Sequence, residues 1–124
     1  MNEELTKSTE DYLESILILN RETNEPVSSL QIASFLKVTK GAVAKAMNRL
    51  HQEGYIDKEL YGQITLTEKG LEIAKNVYSK HKEIKNFLIK IGVSLETAEK
   101  DCCLIEHNIS DETFLAIKKF NKNL

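Results

Sequence analysis

The sequence predicts a mainly helical protein that contains one short β-hairpin. Two observations indicate this class. Apolar residues recur at helical spacing along most of the 124 residues, and Pro26, Gly54 and Gly92 fall where those patterns stop. The stretch 55–66 instead carries two short β-forming runs on either side of a glycine. A hydrophobic fraction of 41% is enough for a buried core in a chain of this length.

Three helices are predicted before the hairpin. The first spans about residues 4–20, on the spacing of its apolar residues, and the segment 24–26 breaks the chain after it. Ser28 begins the second helix, because Gln31 three residues later can complete a capping box. Thr39 caps the third helix, which ends at about residue 53.

The hairpin follows, with strands at residues 55–56 and 64–66. Three further helices come after it, each opened by a hydroxyl residue that can cap it. They begin after Thr67, Ser94 and Ser110 and run to about residues 91, 105 and 120.

This order of elements is that of a winged helix-turn-helix, in which the third helix enters the major groove of DNA. The formal net charge of −2 excludes a surface that is basic throughout. Charge is unevenly spread, however, since residues 1–26 carry a net charge of −5 and residues 37–50 carry +4. A solvated basic face is the alternative to a DNA contact. The predicted DNA-binding residues are Lys37, Thr39, Lys40, Gly41, Lys45, Asn48 and Arg49.

The two cysteines, Cys102 and Cys103, are adjacent in the sequence. Neighbouring residues of a helix cannot form an unstrained disulfide, so two free thiols in a reducing compartment are expected. A buried structural thiol and a metal or redox role both remain open. Helical periodicity groups Cys102 with Leu95 and the core residues of the helix at 94–105. The other stripe of that helix, continued to residue 107, holds Cys103, Glu99, Glu106 and His107.

Other potential metal ligands lie on two different helices. His81 falls in the apolar stripe of the long helix, where a histidine is commonly a core residue. Asp11 and Glu14 lie on one flank of the first helix, away from its apolar face, where carboxylates are commonly solvated. Periodicity alone does not show whether these helices converge. Thiolate, carboxylate and imidazole together could bind a divalent transition metal.

Several segments resemble one family, the iron- and manganese-dependent repressors that include the diphtheria toxin repressor and the manganese transport regulator. The similarity covers about residues 8–120. It is carried by STEDYLESI, LQIASFLKVTKGAVAKAMNRL, ITLTEKG and, above all, DCCLIEHNIS. The resemblance implies a metal site made of Asp11, Glu14, His81, Cys103, Glu106 and His107.

Cys103 stands where manganese-type members have Glu and iron-type members have Cys, whereas the first helix resembles the manganese type. Fe²⁺ or Mn²⁺ is therefore the expected co-repressor, with Fe²⁺ favoured by the thiol. Lys85 and Glu99 replace a carboxylate and a histidine of a second iron-type site, so that version of the site is not expected. Gly41 replaces a proline found in some members. The chain would also lack the C-terminal SH3-like domain of the iron-type proteins.

The resemblance implies a metal-activated repressor of metal-uptake genes that binds a pseudo-palindromic operator as a homodimer. Residues 1–66 would form the DNA-binding domain and residues 67–124 the helical metal-binding and dimerisation domain. No enzymatic activity is expected, and the acidic N-terminus suggests a cytoplasmic protein that does not associate with membranes. The candidate apolar residues of the dimer interface are Phe87, Leu88, Ile91, Leu115 and Phe120.

Two alternatives remain at this stage. A winged-helix regulator could sense oxidants through Cys102 and Cys103 without metal control. A small metal-dependent hydrolase could also use a thiol, imidazole and carboxylate site. The sequence supplies no substrate pocket or oxyanion donor for that reaction, and the basic third helix would be unexplained.

Overall fold

The computed structural model describes residues 5–123, which form six α-helices and a two-stranded antiparallel sheet. In chain order the elements are α1 (Lys7–Thr23), α2 (Ser29–Leu36), α3 (Lys40–Gln52), β1 (Ile56–Lys58), β2 (Ile64–Leu66), α4 (Glu68–Lys90), α5 (Leu95–Ile105) and α6 (Asp111–Lys122). A short 3-10 turn, Leu60–Gly62, joins the two strands. The predicted mainly helical class and winged helix-turn-helix order are confirmed.

Each of these helices begins after a hydroxyl residue whose side chain accepts a hydrogen bond from the backbone N–H three residues later. The caps are Thr6, Ser28, Thr39, Thr67, Ser94 and Ser110. Because these bonds satisfy otherwise unpaired N–H groups, they determine where each helix starts. At Ser28 the side chain of Gln31 also completes the predicted capping box.

The first helix differs from its prediction of residues 4–20. It begins at Lys7 because Thr6 caps it, a signal that sequence inspection missed. It continues to Thr23 and ends where Asn24 adopts a left-handed conformation with φ 57°. The shift is three residues at each end, and the break before the second helix lies where it was predicted.

The described residues divide into two compact units, 5–75 and 76–123, here called the N-terminal and C-terminal units. In the N-terminal unit the wing pairs Ile56 with Leu66, and Val27 forms an additional bridge to Ile64. The buried apolar residues of α1, α2 and α3 include Leu13, Ile16, Ile32, Val43, Met47 and Leu50. Burial of these side chains fixes α3 so that its opposite face is exposed.

Gly70 allows the start of α4 to approach the segment before the wing. A Cβ atom at this position would lie 2.0 Å from the carbonyl oxygen of Tyr55, so only glycine fits without a backbone shift. The Tyr55 carbonyl also accepts a hydrogen bond from Thr67 N at 3.1 Å. Close backbone packing therefore anchors the first turn of α4 within the N-terminal unit.

The C-terminal unit contains the rest of α4 together with α5 and α6. Ile84, Ala98 and Cys102 are buried in it. The rings of Phe87 and Phe120 meet edge to face at 5.3 Å between centroids. Leu95, predicted on the core stripe of α5, is 64% exposed, because the buried face of α5 begins one turn later at Ala98. No helix within residues 5–123 combines the length and apolarity needed to cross a membrane.

Candidate metal centre and nucleic-acid interface

A cluster of potential ligands forms where α4 meets α5 in the C-terminal unit. α4 contributes His81, and α5 contributes Glu99, Cys102 and Cys103, which lie on adjacent turns. The chain keeps a helical conformation through Glu106, whose N–H bonds to the Cys102 carbonyl. The ligand stripe therefore continues past the last residue of α5, as the sequence predicted.

The carboxylate of Glu106 lies between two imidazole rings. Its Oε2 is 3.0 Å from Nδ1 of His81, and its Oε1 is 3.3 Å from Nε2 of His107. The side chains of Glu106 and His107 are 1% and 3% exposed. A buried carboxylate with two imidazoles offers donor atoms of the kinds that divalent transition metals bind.

A second carboxylate approaches the other nitrogen of His81. Glu99 Oε1 lies 2.9 Å from His81 Nε2, and Lys85 Nζ donates to Glu99 Oε2 at 2.8 Å. The hydrogen bond from Lys85 lowers the pKa of the Glu99 carboxyl, and the same bond raises the pKa of the Lys85 ammonium. His81 is thus held between two carboxylates, one of which is paired with a lysine.

Both thiols lie close to the His81 ring. Cys102 Sγ is 3.6 Å from each ring nitrogen, and Cys103 Sγ is 3.8 Å from Nδ1. Cys102 is buried, as its place on the core stripe predicted. The pKa of the Cys102 thiol is raised to about 12, mainly because the thiol is buried and also because Cys103 and Glu99 lie nearby. Sequence reasoning missed that Cys102 and Glu99 share a cluster with His81, because periodicity assigned Cys102 to the core alone.

Asp11 and Glu14 belong to the N-terminal unit. Asp11 Oδ2 accepts from Lys7 Nζ at 3.3 Å. The expectation of a solvated carboxylate is wrong for Glu14, which is only 8% exposed. Every residue from 12 to 17 is buried, so this part of α1 has no solvated flank. The place of both carboxylates in a metal site stays a prediction.

The exposed face of α3 carries most of the predicted DNA-binding residues. Lys40, Gly41 and Lys45 are exposed, opposite the buried Val43 and Met47. Two further predicted DNA-binding residues precede α3. Lys37 ends α2 with φ 58°, and Thr39 caps α3. A basic helix face that begins at a tight turn is suited to phosphate and base contacts.

Two predicted DNA-binding residues also contact other protein groups. Asn48 Oδ1 accepts a hydrogen bond from Lys58 Nζ of the wing. Arg49 Nη2 donates to Thr9 Oγ1 at 3.1 Å, and its Nε lies 3.8 Å from a carboxylate oxygen of Glu53. These contacts orient both side chains within the N-terminal unit, and their predicted DNA contacts remain to be tested.

Two family models cover nearly all of the chain. Residues 4–64 match the iron dependent repressor N-terminal DNA binding domain, and residues 67–124 match the iron dependent repressor metal binding and dimerisation domain. The chain belongs to the iron-dependent repressor family. The resemblance recognised in its motifs is therefore confirmed.

Relatives in this family include proteins from archaea and bacteria. The chain is 41% identical over 117 residues to an uncharacterised HTH-type transcriptional regulator of Methanocaldococcus jannaschii, covering 94% of each protein. It is 34% identical over 113 residues to the transcriptional regulator MntR of Escherichia coli O6:H1, covering 91% of this chain and 72% of MntR. The chain is therefore a member of a family of metal-dependent transcriptional repressors. It consists of a DNA-binding domain followed by a metal-binding and dimerisation domain.

Solved structures of the family share this fold. The manganese regulator SloR superposes with a TM-score of 0.81 at 29% identity, over 97% of this chain and 56% of that one. ScaR with bound Zn²⁺ gives a TM-score of 0.77 at 26% identity, over 94% of this chain and 54% of that one. The chain thus spans about half the length of these two proteins. Its imidazole, carboxylate and thiol groups fit the divalent transition metals on which the family depends.

Proposed function

We propose that this member of the repressor family represses metal-uptake genes and requires Fe²⁺ or Mn²⁺ as co-repressor. The observation that carries the proposal is the position of the Glu106 carboxylate between His81 and His107 in a buried part of the C-terminal unit. Such a group would be costly to bury without strong partners, and a divalent cation would satisfy it together with both imidazoles.

The proposed ligand set is the one that the resemblance of the motifs implies. Its members are Asp11, Glu14, His81, Cys103, Glu106 and His107. Cys103 provides a softer donor than a carboxylate and favours Fe²⁺ over Mn²⁺. The relative named MntR and the structural neighbour described as a manganese regulator support Mn²⁺ instead, so both ions belong in the test. The bound ion would supply positive charge that holds carboxylates and imidazoles together.

The proposed DNA-binding domain comprises residues 1–66. Lys37, Thr39, Lys40, Gly41, Lys45, Asn48 and Arg49 would contact a pseudo-palindromic operator. The exposed lysines of α3 support this assignment, because phosphate neutralisation needs accessible positive charge on the face that enters the groove. The net charge of −2 is no objection, since the acidic residues are concentrated elsewhere in the chain.

Residues 67–124 would form the metal-binding domain and the homodimer interface. Ile91, Leu115 and Phe120 are 54%, 60% and 39% exposed, which is unusual for large apolar residues unless a partner covers them. Phe87 packs against Phe120 and would extend the same surface. A second copy of the chain is the proposed partner, and it would present two recognition helices to two half-sites.

Metal control requires that the ion bind the DNA-competent state more tightly than the other states. By linkage, operator DNA must then raise the metal affinity by the same factor. The test is fluorescence-anisotropy binding of an operator duplex by the reduced, metal-free protein, with and without Fe²⁺ or Mn²⁺ under anaerobic conditions. Tighter binding with either ion is expected, and Mg²⁺ is the control for simple ionic strength. Equal affinity with and without Fe²⁺ and Mn²⁺ would refute the proposed metal control.

A further inference from the structure

The C-terminal unit contains a cluster of four donor groups. The proposed co-repressor site uses only two of them, His81 and Cys103. Donor atoms of His81, Glu99, Cys102 and Cys103 all lie within 4.8 Å of one another. Glu99, Cys102 and Cys103 come from successive turns of α5, and His81 faces them from α4. The set is complete within one unit and includes both cysteines of the chain.

Two of these separations, both measured from Nε2 of His81, are close to those of a four-coordinate site. In a tetrahedral zinc site, metal–sulfur and metal–nitrogen bond lengths place neighbouring sulfur and nitrogen ligands about 3.6 Å apart. Cys102 Sγ lies 3.6 Å from His81 Nε2, and the same nitrogen lies 2.9 Å from Glu99 Oε1. The N–O separation would widen by only a few tenths of an ångström, to about 3.3 Å, to admit an ion.

Outer groups are already placed to support such an ion. Lys85 donates to the second oxygen of Glu99, which leaves Oε1 directed at His81. Glu106 lies at the second nitrogen of His81, so Nδ1 can donate to that carboxylate while Nε2 faces Glu99 and Cys102. Metal-bound histidines and carboxylates generally need such partners to fix their orientation.

The charge of the cluster also suits a divalent cation. Two thiolates and one carboxylate with a neutral imidazole carry three negative charges. A divalent ion leaves one, and the Lys85 ammonium lies 2.8 Å from Glu99 Oε2 to offset it, while the Glu106 carboxylate beside His81 keeps a further negative charge. Binding would release the two thiol protons to solvent.

We propose that His81, Glu99, Cys102 and Cys103 form a second metal site, for a thiophilic divalent cation of the Zn²⁺ type. Two sulfur donors distinguish it from the co-repressor site, which holds one, and it requires neither Asp11 nor Glu14. The two sites share His81 and Cys103. An ion that prefers sulfur therefore has its own binding mode in this chain, distinct from that of Mn²⁺ or Fe²⁺.

The experiment is titration of the reduced, metal-free full chain with Co²⁺, which reports sulfur ligation through its thiolate-to-cobalt charge-transfer absorption. The wild type should show the intensity of two thiolates, and Cys102→Ser and Cys103→Ser should each lose about half. A double variant, Asp11→Asn with Glu14→Gln, should keep the full intensity. Zn²⁺ affinity, measured against a chromophoric chelator, should fall at least about tenfold in Cys102→Ser.

Two variants separate ligation from loss of folding. Cys102 is buried, so circular dichroism must show that Cys102→Ser is folded. Glu99 is exposed, so Glu99→Gln leaves the core intact and should still weaken Zn²⁺ binding, whereas Asp101→Asn, an exposed carboxylate on the same helix, should not. Single-thiolate absorption in the wild type, or Zn²⁺ affinity unaffected by both Cys102→Ser and Glu99→Gln, would overturn the proposal. Operator binding with Mn²⁺ or Fe²⁺ tests the co-repressor site separately, because Cys102 and Glu99 are not among its ligands.

Discussion

Oε2 of Glu106 lies 3.0 Å from Nδ1 of His81, although the two residues are 25 positions apart in the sequence. One belongs to the end of α5 and the other to the middle of α4. Their contact links the two helices within the C-terminal unit. It also holds one imidazole nitrogen of His81, so the direction of the ring depends on Glu106.

Glu106→Gln should weaken Mn²⁺ and Fe²⁺ binding at least about tenfold, because the amide removes one negative charge and changes the partner of His81. Metal-dependent operator binding should weaken with it. The measurement is metal titration of the reduced protein, followed by operator binding at saturating metal. Asp101→Asn removes an exposed carboxylate of the same helix and should match the wild type. Unchanged metal affinity in Glu106→Gln would exclude Glu106 from the site.

Lys45→Ala should weaken binding to all duplexes if Lys45 contacts a phosphate. The slope of log K against log[salt] should then fall by about 0.9, the value for one lost phosphate contact. Lys100→Ala is the matched control, since Lys100 is 76% exposed on α5 and lies outside the proposed interface. If the salt slope of Lys45→Ala equals that of the wild type, Lys45 does not contact the backbone.

Gly70→Ala and Gly41→Ala should change stability in opposite directions. At Gly70 the added Cβ would meet the Tyr55 carbonyl oxygen at 2.0 Å, so the free energy of unfolding should fall by about 1–3 kcal/mol or more. At Gly41 the Cβ meets no atom within 4 Å, and restricting the unfolded chain should stabilise the protein by about 0.4–1 kcal/mol. Urea denaturation of the metal-free variants measures both. Equal stability of the two variants would contradict the close packing at Tyr55.

Because of Cys102, the free energy of unfolding of the metal-free protein should fall at alkaline pH. The pKa of Cys102 is raised from an ordinary value of 9.0 to about 12, because burial disfavours the thiolate. The folded state therefore binds this proton more tightly than the unfolded state does. The resulting stabilisation is complete below about pH 9 and is lost as pH rises toward 12.

Urea denaturation under reducing conditions at pH 8 and pH 10.5 measures this effect. The wild type should lose more stability between these values than Cys102→Ser, whose hydroxyl does not titrate. Other titrating groups are common to both proteins, so the difference isolates the thiol. A parallel loss in both proteins would show that Cys102 ionises as easily in the folded state as in the unfolded state.

Local signals in the sequence were sufficient for the order of elements. Hydroxyl caps such as Ser28 and Thr39 act on backbone groups three residues away, so they can be read without knowing the fold. Helical periodicity likewise predicted that Cys102 is buried, and that Val43 and Met47 face inward while Lys45 is exposed. The resemblance of the motifs supplied the family, which the comparisons confirmed.

What the sequence by itself determined is therefore the set of elements, their caps and the basic face of α3, because these depend on contacts within a few residues. The tertiary structure decided which distant groups meet. The pairing of Lys85 with Glu99, and the approach of Cys102 to His81, depend on how α4 packs against α5. Periodicity gives the direction of a side chain about its own helix axis and says nothing about the neighbouring helix. For that reason Cys102 is predictable as a buried thiol, while its place beside an imidazole and a carboxylate emerges only from the packed structure.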